Sequence, residues 1–312
     1  MKKTAFLFPG QGSQHVGMGE DLYREYDFVR ELFDMAGDIT DTNLARLCFK
    51  GPMEDLTQTV NLQPAVTTVN LACLYAIRRE MADLDATAGH SLGEYAALHA
   101  AGVLTAEHTL QLVHRRGQLM HRESTRTAGA MHAILKLDID RVQKLVAEGQ
   151  QRGIVSVANH NTEQQIVITG QPEAVEAVSS RATEMGGRSI PLKVSGAWHS
   201  ELIRGAEDDF KAELNRIEFR EPACRVIFNV TADEEFDPDQ IRSLMARQFC
   251  SPVKWYDGMR RLMASETEVF VEVGPGKVLA GLLRNILPRD YPGKIFTVSD
   301  MQTLERFFHE NL

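Results

Sequence analysis

Hydrophobic positions along the chain follow two rhythms. Short apolar runs that read as strands alternate with longer stretches whose apolar residues recur every three or four positions. TAFLF at 4–8 reads as the first strand, a helix-like stretch follows near 64–81, and a short approach leads to Ser91. The alternation predicts a parallel α/β sheet. Past Ser91, LGEYAALHAAG is rich in helix formers and small residues, which suits a helix packed close beneath a tight turn, with Gly102 as its terminator. The next helix, over 105–123, sets Leu110, Val113, Gly117 and Met120 on one face, and Arg116 falls at the edge of that face, where it can reach inward.

The middle of the chain changes rhythm. MHAILKL (131–137), a helix at 138–149, IVSVANHN (154–161), QQIVITG (164–170), a helix at 172–185 and RSIPLKV (188–194) follow in order. That is βαββαβ, a ferredoxin-like pattern, and residues 125–196 are read as a small domain inserted into a larger one formed by 1–124 and 197–312. The larger domain resumes with RVIFNVTA (225–232) and EVFVEVGPG (268–276), both read as buried strands. Gly274-Pro275-Gly276 would stop the second at the carboxyl edge of the sheet, where open α/β sheets bind ligands. No internal repeat or low-complexity tract is visible.

Composition narrows the function classes. The 312 residues, 43% hydrophobic, are enough to build a large core and an enzyme. With 34 basic against 43 acidic residues the net charge is −9, and no Lys/Arg run is dense enough to track a phosphate backbone, which argues against nucleic acid. Cys48, Cys73, Cys224 and Cys250 are scattered without a C-x-x-C pair, as expected for reduced thiols in the cytoplasm. The opening MKKTAFLF imitates a signal peptide, but its apolar part stops at Pro9-Gly10, and no later run is expected to span a bilayer. No H-E-x-x-H or comparable metal-ligand spacing occurs.

Candidate chemistry centres on GHSLGEY (89–95). Its G-x-S-x-G pattern presents a serine at a sharp strand-to-helix turn, with the N–H of the next residue, Leu92, as an oxyanion donor. Gly89 and Gly93 keep the crossing free of side chains. A serine needs a base within hydrogen-bond reach. His90 would have to fold back on its own backbone and is read as a pocket or packing histidine instead. In hydrolases with this elbow the base follows the serine in chain order, which leaves His99, His108, His114, His121, His132, His160, His199 and His309. Of these, His199 in VSGAWHS (194–200) lies in a Gly-containing turn at the re-entry into the larger domain. GQGSQHVGMG (10–19) fits neither a dinucleotide nor a P-loop fingerprint. It is either a tight turn or a backbone approach that brings the Gln11 N–H to the oxyanion.

In order along the chain, FPGQGSQ (8–14), QPA (63–65), GHSLGEY, RRGQLM (115–120), NHNTEQQIVITG (159–170), SGAWHS (195–200) and VGPGKVL (273–279) resemble the malonyl-CoA:acyl carrier protein transacylases of fatty acid synthesis. The resemblance implies an α/β-hydrolase-like core with a parallel sheet and a ferredoxin-like subdomain. It implies Ser91 as the nucleophile that takes the malonyl group and His199 as its base, oriented by the main-chain carbonyl of Gln248 in place of a triad carboxylate. Gln11 and Leu92 match the oxyanion amides and Arg116 the arginine that pairs with the substrate's free carboxylate. His90, Gln63, Asn159 and Trp198 are expected in the pocket. Malonyl-CoA and acyl carrier protein are the implied partners; no metal or redox cofactor and a monomeric state are expected.

Trp198 departs from common members of that family, and a bulky residue there is expected to favour malonyl over methylmalonyl. His160, within NHN, carries no assigned role beyond a polar pocket wall. Arg181, Arg188 and Lys193 are candidates for a basic patch facing an acidic carrier protein. Three rival readings stand beside this one. The first is a transacylase of a polyketide or malonate decarboxylase system. The second is a serine hydrolase of acyl thioesters, against which a buried Arg116 facing an alkyl chain argues. The third is a non-catalytic carrier-binding module, which would have no need of Ser91, His199 and Arg116 together.

Overall fold

The computed structural model describes residues 2–81 and 84–311. Among them nine strands form two sheets: β1 (Thr4–Phe8), β2 (Ala86–Gly89), β3 (Ala130–Leu135), β4 (Val155–Thr162), β5 (Gln165–Gly170), β6 (Arg188–Pro191), β7 (Arg225–Ile227), β8 (Val269–Val273) and β9 (Lys294–Val298). The first sheet is parallel throughout, in the order β7-β2-β1-β8-β9. An α/β fold with a parallel sheet is therefore what the alternating pattern encodes.

Every residue of β1, β2 and β8 is buried, because helices cover both faces of the sheet. Successive side chains point to opposite sides. Phe6 and Phe8 enter a core with the helix Thr59–Arg78, while Ala5 and Leu7 meet Trp255, Met259, Leu262 and Leu279 on the other face. The helix Thr59–Arg78 corrects one expectation: it begins at Thr59 rather than near residue 64, so Pro64 lies inside it. By length and composition alone it could cross a membrane, but 83% of its most apolar 18-residue window is buried in protein, as befits a central core helix.

The second sheet is antiparallel, ordered β4-β5-β3-β6. Helices Ile139–Gly149 and Pro172–Glu184 cover one face through Val142, Leu145, Val175 and Val178. From the other face Met131, Ala133, Ala158 and Val167 join the core of the parallel sheet. β6 is shorter than RSIPLKV suggests: after Pro191 the Leu192 N–H still reaches Met131 O (2.9 Å), but the following chain leaves the sheet. RVIFNVTA likewise gives a strand only to Ile227, because Phe228–Asp233 closes a turn through Ala232 N–H to Phe228 O (2.8 Å). β9 completes the sheet at an edge for which no strand was expected.

The helix Ala106–Arg126, capped by Thr105, crosses the first turn of Thr59–Arg78 at Gly117. A Cβ on Gly117 would sit 2.9 Å from Thr59 O, whereas one on Gly281, in the helix Val278–Ile286, would meet nothing within 4 Å. Gly117→Ala is expected to cost about 1–3 kcal/mol through overpacking. Gly281→Ala should gain about 0.5–1 kcal/mol by stiffening the unfolded chain. Urea midpoints of the two variants, moving in opposite directions, check this.

Candidate active site

Ser91 sits between β2 and the helix Gly93–Ala100 with φ +50°, the left-handed conformation of a strand-to-helix elbow. The crossing tolerates no side chain. A Cβ on Gly89 would lie 2.0 Å from the carbonyl carbon of Gly93, and one on Gly93 would lie 1.9 Å from Phe8 O. Asn229 holds the turn from the side: its Oδ1 accepts from Ser91 N–H (2.7 Å) and its Nδ2 donates to Gly89 O (2.6 Å).

His199 lies opposite, with Nε2 at 2.8 Å from Ser91 Oγ. Its Nδ1 is 2.9 Å from Gln248 O and 3.1 Å from Ser251 O. Since carbonyls only accept, Nδ1 carries the proton and Nε2 keeps its lone pair for the serine hydroxyl. Burial, then the positive charge of Arg116, pulls the imidazole pKa down to about 3 against the pull of the two carbonyls. His90 faces elsewhere: its Nε2 bonds Asn161 Oδ1 (2.8 Å) and its ring meets the edge of Trp255. Other histidines serve packing or the surface. His99 bridges Tyr75 and Leu104 O, His132 bonds Ser179, and His114 bonds Gln118.

Arg116, 2% exposed, brings its guanidinium beside the same serine. Nη2 donates to Ser91 Oγ (3.2 Å) and Gln248 Oε1 (3.1 Å), and Nη1 donates to Gln63 Oε1 (2.9 Å). Its Nε has no partner among the described residues, and it makes no direct carboxylate contact. Burial lowers its pKa from the usual arginine range. Gln248 thus contributes more than its carbonyl, since its Nε2 donates to Ser91 O (3.1 Å) and to Glu94 Oε2. Glu94, 1% exposed, also accepts from Asn229 N–H (2.6 Å), and burial pushes its carboxyl up to about 8.

Gln11, Leu92, His90, Met120, Met131, Asn159, Leu192, Val194 and Trp198 line a cleft around Ser91, Arg116 and His199. The N–H groups of Gln11 and Leu92 have no acceptor among the described residues. A Cβ on Gly10 would stand 3.4 Å from Leu92 N, so the glycine-rich turn brings the Gln11 segment against the elbow. Asn159 reaches the cleft at an irregularity of β4. Gln63 lies behind Arg116 rather than on the cleft wall. His160 does not line the cleft: it packs on Tyr256 and faces Asp257. Among the described residues no group of three His, Cys, Asp or Glu side chains could hold a metal. The arrangement can activate a serine, stabilise an oxyanion and receive a carboxylate. Sequence reasoning missed Glu94 and Asn229, although Glu94 stands within GHSLGEY.

The family model for the acyl transferase domain matches residues 5–302. The chain is 40% identical over 307 residues, 98% of its length and 96% of the relative's, to a malonyl CoA-acyl carrier protein transacylase of Bacillus subtilis (strain 168). A crystal structure of an acyl carrier protein S-malonyltransferase from Vibrio cholerae superposes with a TM-score of 0.92 at 38% identity, covering 97% of this chain and 99% of that one. A malonyl-transacylase in complex with a type II PKS acyl-carrier protein gives a TM-score of 0.94 at 34% identity, covering 99% of this chain and all of that one (100%).

Only the neutral imidazole can take the Ser91 proton, and a depressed pKa keeps it neutral in mild acid. The rate at which a fluorophosphonate labels Ser91 should therefore hold as pH falls through 6.5 and decline with a midpoint well below it. Arg116→Met removes a positive neighbour and should move that midpoint upward. Labelling rates across the acid range check both.

Proposed function

The chain belongs to the acyl transferase family, among its malonyl-CoA:acyl carrier protein transacylases, and on that premise we propose how its residues carry the transfer. It is an acyltransferase that moves malonyl from malonyl-CoA to acyl carrier protein for fatty acid synthesis. The observation that carries the residue assignments is the buried Arg116 guanidinium, with no carboxylate among the described residues touching it, 3.2 Å from Ser91 Oγ. One methylene separates the two carbonyl carbons of malonate. A malonyl group esterified to Ser91 therefore places its free carboxylate where Arg116 can pair with it, a task suited to a planar, permanently charged donor.

In the first half-reaction Ser91 Oγ attacks the thioester carbon as its proton passes to His199 Nε2. The negative oxygen is held by the N–H groups of Gln11 and Leu92. The C–S bond then breaks and the proton on His199 goes to the leaving CoA sulfur, leaving a malonyl-serine ester. In the second, His199 takes the proton of the carrier's phosphopantetheine thiol, the sulfur attacks the ester, and Ser91 Oγ leaves with that proton. The Gln248 carbonyl keeps the imidazole oriented. Acyl and proton transfers change no oxidation state, so the reaction calls for no redox cofactor. His90, Asn159 and Trp198 shape the pocket around these groups, Gln63 holds Arg116 from behind, and Trp198 narrows the pocket against a branched acyl chain.

We further infer that residues 1–124 and 197–312 form an α/β-hydrolase-like core and 125–196 a ferredoxin-like subdomain. The serine elbow after a parallel strand supports the first, and the β4-β5-β3-β6 order of a βαββαβ segment supports the second. The enzyme is read as a cytoplasmic monomer, its four thiols free. Arg188 and Lys193 flank Leu192 at the cleft wall and are exposed, a position suited to an acidic carrier; Arg181 is paired with Glu184. The likeness to a transacylase bound to a polyketide carrier keeps supply of such a carrier as a second reading, and rates with the two carrier types side by side separate them.

Intact mass after mixing with malonyl-CoA should show a malonyl adduct that is absent in Ser91→Ala and discharges when carrier protein is added. Arg116→Ala should lower the acylation rate with malonyl-CoA by about 10²–10³-fold, the worth of a buried charge pair of roughly 3–4 kcal/mol, while changing acetyl-CoA little. Equal loading of acetyl and malonyl by the wild type would sink the substrate assignment. Lys193→Glu should raise the carrier-protein KM and flatten its salt dependence; no change in either removes that patch from the docking surface.

A further inference from the structure

Two buried residues close to the reacting atoms have no part in the mechanism above. β7 pairs with β2 as far as Ile227 opposite Ala88, and then turns away as Phe228 N–H bonds Asp233 O (3.0 Å). Gly89 O and Ser91 N–H, next along the β2 side, are left without backbone partners from β7. The Asn229 side chain supplies both missing bonds, donating to Gly89 O (2.6 Å) and accepting from Ser91 N–H (2.7 Å). A primary amide has the same donor and acceptor as a peptide group, so it extends the sheet ladder past the strand's end. Being a side chain, it does so without obliging the Ser91 segment to stay extended.

Asn229 is fixed in turn by the first turn of the elbow helix, where Glu94 Oε1 accepts its backbone N–H (2.6 Å). Asn229 is 4% exposed and Glu94 1%, so water does not compete for these bonds. They close a ring through the strand end, the nucleophile and the helix that follows. A non-glycine residue in the left-handed region is strained and persists only where its surroundings over-determine it. Ser91, at φ +50°, is such a residue.

We propose that Asn229, braced by Glu94, is the positioning residue of the nucleophile, holding Ser91 Oγ on line with His199 Nε2. It acts through the Ser91 backbone and touches neither substrate nor the reacting oxygen. The inference rests on Ser91 being the acyl-accepting nucleophile.

The test is the rate of fluorophosphonate labelling at Ser91, read beside malonyl-CoA kinetics. Asn229→Ala should slow labelling and kcat about 10²-fold, the scale of a misplacement near 1 Å, with the malonyl-CoA KM within about threefold of wild type because Arg116 keeps its own anchors. Asn229→Asp keeps the acceptor for Ser91 N–H but sets an acceptor against Gly89 O, and should fall between. Should Asn229→Ala fail to fold, Asn229→Asp and Asn229→Ser carry the comparison. Labelling and kcat equal to wild type in the folded variants, or a loss matched by an equal rise in KM, would overturn the proposal. A wild type that does not label at Ser91 overturns the nucleophile assignment instead.

Discussion

The Glu94 carboxylate, sealed from water beneath the elbow, is the tie on which the rest of the site depends. One oxygen takes the Asn229 N–H and the other the Gln248 amide, so the elements that present Ser91, Arg116 and the carbonyls facing His199 converge on one acceptor. Burying such a group is costly, and the rise of its pKa to about 8 expresses that cost. Two donated hydrogen bonds and the nearby positive charge of Arg116 offset it. Gln248 lies between Arg116, which can only donate, and Glu94, which accepts. Its amide therefore has one favourable orientation, oxygen toward the guanidinium and nitrogen toward the carboxylate.

This arrangement also explains why a carbonyl suits His199 better than a carboxylate would. The pocket already holds a buried cation, Arg116. In the transfer proposed above that cation pairs with the malonyl carboxylate, and a fixed anion beside the imidazole would repel the same carboxylate and weaken the contrast that selects it. Carbonyls of Gln248 and Ser251 fix the tautomer without adding net charge. Arg116 is one cause of the depressed imidazole pKa, so in the pairing proposed above a malonyl carboxylate beside Arg116 would act against that cause.

Much of this was legible in the sequence where local pattern and local structure coincide. TAFLF is a strand because nothing polar interrupts it, GHSLGEY turns because two glycines permit the crossing, and the βαββαβ run appears element by element in the expected chain order. Helix 105–123 placed Arg116 at a face edge, and the structure turns it fully inward. What was hidden depends on partners distant in the chain. Asn229 lay in a run that reads as continuous strand, because the turn after Ile227 is set by a bond to Asp233 rather than by a glycine or proline. Glu94 looked like an ordinary acidic residue in a helix's first turn, where such residues are common for electrostatic reasons. The early start of the helix Thr59–Arg78 was obscured by Pro64, which more often marks a beginning than an interior.

One backbone seam sets how the site can move. Val253 exchanges hydrogen bonds with Ala158 and His160 of β4, joining the antiparallel sheet to the segment whose Ser251 carbonyl meets the His199 imidazole. His199 itself arrives on the chain that returns from β6, past Leu192, Val194 and Trp198 of the cleft wall. The base is thus suspended between two sheets, moored on one side by its own chain and on the other by the seam. A push on the smaller sheet would therefore reach the imidazole and the cleft wall together.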